Sequence, residues 1–486
     1  MFAVLAVLVW FYLLAMAVDI SAVTAAVNLA GPLVLGVAAL VQGYRLLRRK
    51  PEAIWTPYAW FLAAIVLFYS IGPLIYPLAG PRTLTYAQSF LPINADELLR
   101  TNVLDAVGIL VLLSGFRLVS GWSRRRAARA ALPGPQRAAS IQVVALTFLL
   151  VGGALEYLLI LPWQFGLYHF VLPGVINNLG DLYLLGLMVL AYSVAQGKQN
   201  WRLLFAVLWA IQIVVSLLVF SKQQLILTIA LPAVGAYLAH RRLSRLLTWG
   251  LVLGVVYFTV GQLVLYGRGQ IAMRTGDINQ ATLTQRVNIV RGWFDEGMPS
   301  TGARVSSGGT GWARLNYAPE QTFAMARHDH GQPGHTLRNV AIVLIPRAIW
   351  PNKPVTTEMA VNFYQLVTGR RGTHLGLGIF GEGYWDYGWP GVIGLSFITG
   401  LIFGILSNLS MDWMRRRAFE YLPSIFLGIN MGIVGTTEFF VNSVVGATGF
   451  FFAYMVLVWV LKQVFSGRKR RGSVNRRMEK LALHHE

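Results

Sequence analysis

Long apolar stretches alternate with short polar ones along most of the chain. A helix needs about 20 apolar residues to cross the hydrocarbon core of a bilayer. Twelve stretches approach or reach this length, so the pattern predicts an all-α polytopic membrane protein. The predicted spans are 1–18, 22–44, 55–78, 103–121, 141–161, 175–196, 203–220, 225–239, 247–266, 390–411, 421–437 and 444–465.

Clusters of Lys and Arg between these stretches predict an orientation, because basic residues concentrate in cytoplasmic loops. With twelve spans and both termini in the cytoplasm, every cluster falls on the cytoplasmic side. The clusters are 45–50, 124–137, 198–202, 241–245, 415–417 and 468–480. The predicted organisation is helices 1–9 over 1–266, one extracytoplasmic loop over 267–389, helices 10–12 over 390–465, and a basic cytoplasmic tail over 466–486.

Composition agrees with a membrane protein. The chain is 55% hydrophobic and 13% charged, whereas soluble proteins carry about 25% charged residues. The net charge of +21 follows from the cytoplasmic clusters, so we expect no nucleic-acid partner. The absence of cysteine excludes disulfides, thiolate metal sites and cysteine nucleophiles.

The predicted loop 267–389 holds twelve basic and eight acidic residues. Positive charge outside opposes the topological bias, which indicates an anionic ligand or lipid phosphates. Within the loop, the apolar segment 339–350 would rise about 18 Å as a helix against a core of about 30 Å. We therefore expect it to be re-entrant or interfacial. The amphipathic stretch 283–294 is predicted to lie on the membrane surface.

Two strings in this loop carry the candidate chemistry, namely IPRAIWPNKP (345–354) and GEGYWDYGWPG (381–391). The first places Arg347, whose planar guanidinium suits phosphate, at a proline-broken turn. The second groups Glu382 and Asp386 with aromatic residues, as sugar recognition and general-base catalysis both require. Interfacial anchoring of the aromatics and an ion pair of Glu382 with an arginine explain the same residues without catalysis.

In this order and topology, the two strings resemble motifs of the Wzy-type O-antigen and oligosaccharide repeat-unit polymerases. The similarity covers most of the chain, and the motifs match 346–354 and 381–388. Where the family often has an arginine in a Ser-Arg-Gly context, this chain has Lys222, which keeps the charge but not the bidentate fork. Arg314, in WARLNY, stands where the family often has an Arg-x-Asn element.

The resemblance implies a metal-independent, inverting membrane glycosyltransferase of GT-C-like architecture, related to O-antigen ligases. It would lie in the bacterial inner membrane with its active site on the periplasmic side. The donor and the acceptor would both be glycans linked to undecaprenyl pyrophosphate, and no cofactor is expected. Membrane lipid and a chain-length regulator protein are further expected partners.

This chemistry assigns roles to individual residues. Fixed cations near the leaving diphosphate would stabilise its developing charge, and an acceptor hydroxyl needs a base. Glu382 is the first candidate for the base and His374 the second. The predicted catalytic residues are Glu382, Arg347, Arg314 and His374, and the predicted substrate contacts are Lys222, Arg268, Lys353, Tyr384 and Asp386. No metal site is predicted, because the HDH string at 328–330 resembles a metal cluster only loosely.

Three alternatives stay open. A transporter or flippase of lipid-linked glycans would place charged residues near span midpoints and often has repeated halves. For Asp19, Asp105 and Asp181 we expect positions near helix ends instead. An O-antigen ligase would share the loop arginines and use a loop histidine. A non-catalytic scaffold in an envelope complex is the third alternative.

Overall fold

The computed structural model describes residues 1–89, 91–127, 141–168, 174–240, 243–275, 281–295, 311–345, 350, 358–369 and 374–459. Within these residues every regular element is a helix, so the all-α prediction is confirmed. Seven helices in this part of the chain are long and apolar enough to cross a membrane, which makes the protein membrane-embedded. They are Ser21–Arg49, Ala95–Ser120, Ile141–Gln164, Gln199–Leu218, Thr248–Ile271, Gly378–Arg415 and Val441–Trp459. Shorter apolar helices are Phe2–Val18, Pro57–Ile71, Leu182–Ala195 and Phe419–Val434.

The remaining helices are shorter or more polar. They are Ile75–Leu78, Pro81–Gln88, Gly174–Gly180, Lys222–His240, Leu283–Asp295, Ala318–Asp329, Val340–Leu344 and Glu358–Thr368. The helix around Thr248–Ile271 extends over Leu243–Thr275, and the one around Ala95–Ser120 continues to Ala127. Single turns of 3₁₀ helix occupy Pro51–Trp55, Gln199–Trp201, Thr336–Asn339 and Phe419–Tyr421, and π-helical turns occupy Ile65–Ile71, Glu156–Ile160 and Val441–Gly446.

One helix begins earlier than the hydropathy indicates, and this corrects the expectation for Asp105. The span was predicted from residue 103, but the helix begins at Ala95. Polar residues fill this added N-terminal part, so hydropathy alone does not detect it. Asp105 consequently lies well inside the helix, is 4% exposed, and accepts a hydrogen bond from Gln321 Nε2 at 2.9 Å.

The chain divides into two compact units. The first consists of Met1–Leu74, Ile93–Leu132 and Asn316–Glu486, and the second of Ile75–Pro92 and Pro133–Leu315. The long loop predicted from the sequence is therefore divided between the two units at residue 315.

In the first unit, the helices Ala95–Ala127 and Gly378–Arg415 pack at backbone distance. A Cβ atom added at Gly400 would lie 2.0 Å from the carbonyl oxygen of Leu112 in Ala95–Ala127. One added at Gly115 would lie 2.4 Å from the carbonyl oxygen of Phe397 in Gly378–Arg415. Small residues permit such close packing between membrane helices. This contact holds the helix that bears the second sequence motif.

In the second unit, the helices around Gly152, Gly186 and Gly235 approach one another in the same way. A Cβ atom at Gly235 would lie 2.2 Å from Met188 O, and one at Gly152 would lie 2.2 Å from the Tyr183 nitrogen. A separate apolar cluster ties the amphipathic helix to its neighbours. It contains Phe220, Leu263, Val264, Ile271, Ala281 and Ile289.

The helix Gly378–Arg415 is kinked at Gly388, which has φ 62° and ψ −149°. This backbone region is essentially restricted to glycine, and Pro390 follows two residues later. The kink separates an N-terminal arm, residues 378–387, from the long apolar part of the helix. The N-terminal arm carries Glu382.

Candidate functional site

The N-terminal arm is held by a covering segment, residues 328–340. The backbone nitrogen of Gly334 donates to Trp385 O at 3.1 Å, and Trp385 Nε1 donates to Gln332 O at 3.2 Å. The ring nitrogen Nδ1 of His328 lies 2.9 Å from Trp385 O. These contacts fix the covering segment along one face of the arm.

Beneath the covering segment lie two carboxyl groups one helical turn apart, Glu382 and Asp386. The Thr336 hydroxyl oxygen is 2.6 Å from Glu382 Oε1 and 3.2 Å from Asp386 Oδ2. The backbone nitrogen of Phe440 donates to Glu382 Oε2 at 2.5 Å, and that of Leu337 donates to Asp386 Oδ2 at 2.8 Å. Glu382 is 0% and Asp386 6% exposed. The sequence grouped these two residues in one string but placed them in a loop; in the structure both lie on the helix Gly378–Arg415, four residues apart and so on one face.

Three of the four carboxyl oxygens in this pair accept hydrogen bonds, and Asp386 Oδ1 is the exception among the described contacts. Oδ1 is buried and accepts no hydrogen bond from the described residues. Gly334 lies directly over it, because a Cβ atom added there would come within 2.3 Å of Oδ1. Buried polar atoms are nearly always hydrogen-bonded, so this oxygen marks an unused acceptor within the pair.

Near the carboxyl pair, Tyr384 joins a charged pair in the same unit. Arg100 Nη2 lies 2.7 Å from Asp329 Oδ2, and the Tyr384 hydroxyl donates to Asp329 Oδ1 at 3.0 Å. Burial opposes ionisation of Asp329, but the hydrogen bonds from Arg100 and Tyr384 outweigh it and lower the pKa of that carboxyl. The Tyr384 ring lies edge-on to Trp389 and His328, with centroids 5.5 and 5.3 Å away.

The second unit gathers a basic cluster, defined by Lys222, Arg268 and Arg314. The Nζ atom of Lys222 lies against Gly261, where an added Cβ would be 3.1 Å away. Gly261 and Arg268 are seven residues apart and so share a helix face. Electrostatic repulsion acts among the three cations, which places their charges close together. Arg268 Nε also donates to Phe220 O at 2.9 Å.

The structure thus forms two groups from the predicted site residues. Glu382, Tyr384 and Asp386 lie together in the first unit, and the basic cluster lies in the second. His374 is exposed just before the kinked helix, and among the described residues it makes no hydrogen bond or ion pair with the carboxyl pair. Arg347 and Lys353 lie outside the described residues.

Sequence reasoning did not identify Arg286, which is 1% exposed. Its guanidinium donates to main-chain carbonyl oxygens at distances of 2.8 to 3.3 Å. Two of these partners end the helix Arg202–Leu218 and another ends Leu161–Gln164, where carbonyls lack helical partners. Burial lowers the pKa of Arg286 to about 10. The carbonyl partners are Ala281, Leu218, Val219 and Gln164.

Thr336 and the Arg100–Asp329 pair were also not identified. Thr336 lies 46 residues from Glu382, and Arg100 lies 229 residues from Asp329. No local periodicity connects positions so far apart in the chain. The one available signal was for Arg286, which is three residues from the buried Ile289 and so shares its helix face.

Within the described residues, no group of three or more His, Asp or Glu side chains could hold a metal ion. The histidines of the HDH string instead contact main-chain oxygens. His330 Nδ1 lies 2.6 Å from Ala326 O, and His328 contacts Trp385 as described above.

Comparison of the chain with protein-family models, curated proteins and solved structures found no match. The fold and the candidate site define the class as an all-helical membrane protein with a buried carboxyl pair and a separate basic cluster. The resemblance to Wzy-type polymerases stays a prediction from the two sequence motifs. The function of the protein is therefore proposed from the chemistry of the carboxyl pair and the basic cluster.

Proposed function

We propose that the protein is a membrane glycosyltransferase that polymerises oligosaccharide repeat units linked to undecaprenyl pyrophosphate. A sugar hydroxyl of the acceptor attacks the anomeric carbon of the donor. The bond from that carbon to the diphosphate oxygen breaks, and a glycosidic bond forms with inversion. The lipid diphosphate leaves, and the hydroxyl proton passes to a base.

The observation that carries this proposal is the basic cluster. Three cations close together create a region of positive potential, which attracts anions. A diphosphate carries the matching charge, and it gains further negative charge as it leaves. Lys222, Arg268 and Arg314 are proposed to bind this group, and Arg347 and Lys353 are proposed to assist.

The reaction also needs a base to take the proton of the attacking hydroxyl, and the carboxyl pair could supply it. Glu382 and Asp386 are proposed to accept the proton of the attacking hydroxyl, and Tyr384 is proposed to contact the glycan. His374 is the alternative base. Its exposed position gives it access to solvent and to ligands, whereas Glu382 is buried.

The test is the growth of chains from purified lipid-linked repeat units in proteoliposomes, without nucleotide sugar or added metal. Neutralising one diphosphate contact, by Arg314→Gln or Lys222→Gln, should slow growth by about 10²–10³-fold. Arg291→Gln is the matched control, because Arg291 is an exposed arginine in the same unit. Folded Arg314→Gln and Lys222→Gln proteins that still make long chains would overturn the proposal.

A transporter of lipid-linked glycans is the second candidate, favoured by carboxyl groups inside apolar helices. Asp105 is buried within Ala95–Ala127, and Glu156 is buried where it accepts a hydrogen bond from Gln224 Nε2 at 2.7 Å. The same proteoliposomes separate the two functions. Transport moves repeat units across the bilayer without lengthening them, whereas polymerisation yields products of several repeat units.

A further inference from the structure

The contacts of Thr336 bear on the protonation of the two carboxyl groups. Its hydroxyl group carries one hydrogen, yet its oxygen lies within hydrogen-bonding distance of both Glu382 Oε1 and Asp386 Oδ2. If both carboxyls were ionised, this single hydrogen would have to be shared between two acceptors. The neighbouring backbone donors, from Phe440 and Leu337, are directed at Glu382 Oε2 and Asp386 Oδ2. One more hydrogen on the pair would make both contacts full hydrogen bonds.

We propose that Glu382 and Asp386 hold a single proton between them, that Glu382 carries it at rest, and that Thr336 links the two groups. Glu382 Oε1–H then donates to the Thr336 oxygen, and the Thr336 hydroxyl donates to Asp386 Oδ2. Both contacts become hydrogen bonds. Asp386 is left as the ionised member of the pair, and Thr336 is a positioning residue.

Burial determines which of the two carboxyls is neutral. Glu382 is 0% exposed, and loss of hydration disfavours its charged form. Asp386 accepts from Thr336 and from Leu337, and hydrogen bonds donated to a carboxylate favour its charged form. Two carboxylates one turn apart also repel each other, so ionising one disfavours ionising the other.

This chain of groups allows the proton to move between its ends. The Glu382 proton passes to the Thr336 oxygen while the Thr336 hydrogen passes to Asp386 Oδ2. Glu382 is then ionised and Asp386 neutral, and no proton is gained or lost. The pair can therefore present its negative charge at either end without exchange with water.

The role of the pair in catalysis rests on the proposed function. In glycosyl transfer, Asp386 rather than Glu382 would take the proton of the attacking hydroxyl, because Oδ1 accepts no hydrogen bond from the described residues. Gly334 lies over this atom, so the substrate reaches it only after the covering segment moves.

Infrared spectroscopy of the purified full-length protein at neutral pH tests the proton assignment directly. A protonated carboxyl group shows a C=O stretching band that a carboxylate lacks. Subtracting the spectrum of Glu382→Gln from that of the wild type should leave such a band, and ¹³C-labelled glutamate should shift it. The glutamine amide mimics a neutral carboxyl, so this variant should fold. A subtraction with no shifted acid band would overturn the assignment.

Thr336 offers a matched pair of variants. Thr336→Val keeps the shape and removes the hydroxyl, so the Glu382 band should move, whereas Thr336→Ser should restore the wild-type position. A band that stays fixed in the valine variant would show that the hydroxyl does not link the two groups.

Chain growth separates this inference from the proposed function. Asp386→Asn removes the proposed base and should slow growth by about 10²–10⁴-fold, and more than Glu382→Gln does. If the acid band is present but no polymer forms in the wild type, the proposed function fails and the proton assignment stands. If polymer forms and the labelled band is absent, the inference fails and the function stands.

Discussion

At the residue scale, the guanidinium of Arg286 closes the ends of two helices in the second unit. Arginine suits this position because its planar fork offers five N–H donors in fixed directions. A lysine offers three donors from one atom and cannot span carbonyls that lie apart. Arg286 therefore joins the end of Leu161–Gln164 to the end of Arg202–Leu218 through directional hydrogen bonds.

We predict that Arg286→Met destabilises the protein by about 3 kcal/mol or more, because each carbonyl left unsatisfied in a buried site costs about 1–3 kcal/mol. Thermal unfolding in detergent measures the change. Arg291→Met is the control, since Arg291 is exposed on the same helix and should change stability by less than about 0.5 kcal/mol. Equal losses of stability in the two variants would contradict the capping role.

Glu320 makes stability depend on pH. Burial raises the pKa of this carboxyl from 4.5 to about 7, and its Oε2 has no hydrogen-bond partner among the described residues. A raised folded-state pKa means that the native state binds more protons than the unfolded state between these two values. The stability contributed by neutral Glu320 is therefore complete below pH 4.5 and is lost as the pH rises through about 7.

We predict that the wild-type melting temperature falls across this pH interval and that Glu320→Gln removes most of the fall. The difference corresponds to a few kcal/mol at most, since one pKa unit is about 1.4 kcal/mol. Differential scanning fluorimetry at a series of pH values measures it. Parallel curves for the two proteins would show that Glu320 does not cause the pH dependence.

The sequence predicted the local part of the candidate site. Glu382, Tyr384 and Asp386 were predicted as one group because they are neighbours in the chain, although 267–389 was predicted as loop and the helix that carries them begins at Gly378. Thr336 and Asp329 reach that arm only through the folded path of the covering segment. No property of the sequence alone specifies that path, so these partners could not be predicted.

At the element scale, the kink at Gly388 determines where the carboxyl pair lies. We predict that Gly388→Ala destabilises the protein by about 1–3 kcal/mol, because its backbone conformation is strained for any residue with a Cβ. The new Cβ would also lie 3.0 Å from His328 Nε2. Thermal unfolding is the measurement.

Gly394→Ala provides the control in the same helix. No atom lies within 4 Å of a Cβ added there, and alanine is favoured over glycine within a helix by about 0.5–1 kcal/mol. This variant should be as stable as the wild type or more stable. If both alanine variants raise the melting temperature, the kink is not required.

Hydropathy predicted the helical elements well and their ends less well. Within the described residues, each predicted span overlaps helical residues, but 55–78 and 175–196 are each divided between separate helices. The polar first turns of Ala95–Ala127 lie outside the apolar window, and this explains the error at Asp105. The stretch 283–294 does form the helix Leu283–Asp295. The partners of its buried Arg286 are the ends of other helices, which the pattern within one stretch does not specify.

At the scale of the whole molecule, the positive-inside pattern predicts which side of the membrane each polar segment faces. The chain contains no cysteine, so single cysteines can be labelled without background. We predict that Gln332→Cys reacts with an impermeant maleimide in intact spheroplasts, whereas Arg48→Cys reacts only after permeabilisation. Both residues are exposed. The reverse pattern would invert the predicted topology.

The division into two units could not be predicted from the sequence. Hydropathy orders the helices along the chain but does not say which of them pack together. The first unit combines segments from both ends of the chain, and the second consists mainly of the middle. Contacts between distant segments decide this arrangement.

The glycine contacts between Ala95–Ala127 and Gly378–Arg415 have a mechanical consequence. A slide of one helical turn, about 5.4 Å, would replace Gly115 at the contact by Val111 or Val119, so these two helices behave as one stiff rod. Bending in the first unit then concentrates at Gly388. Spin labels along the rod should keep fixed separations when substrate is added, while a label on the N-terminal arm changes its distance to them.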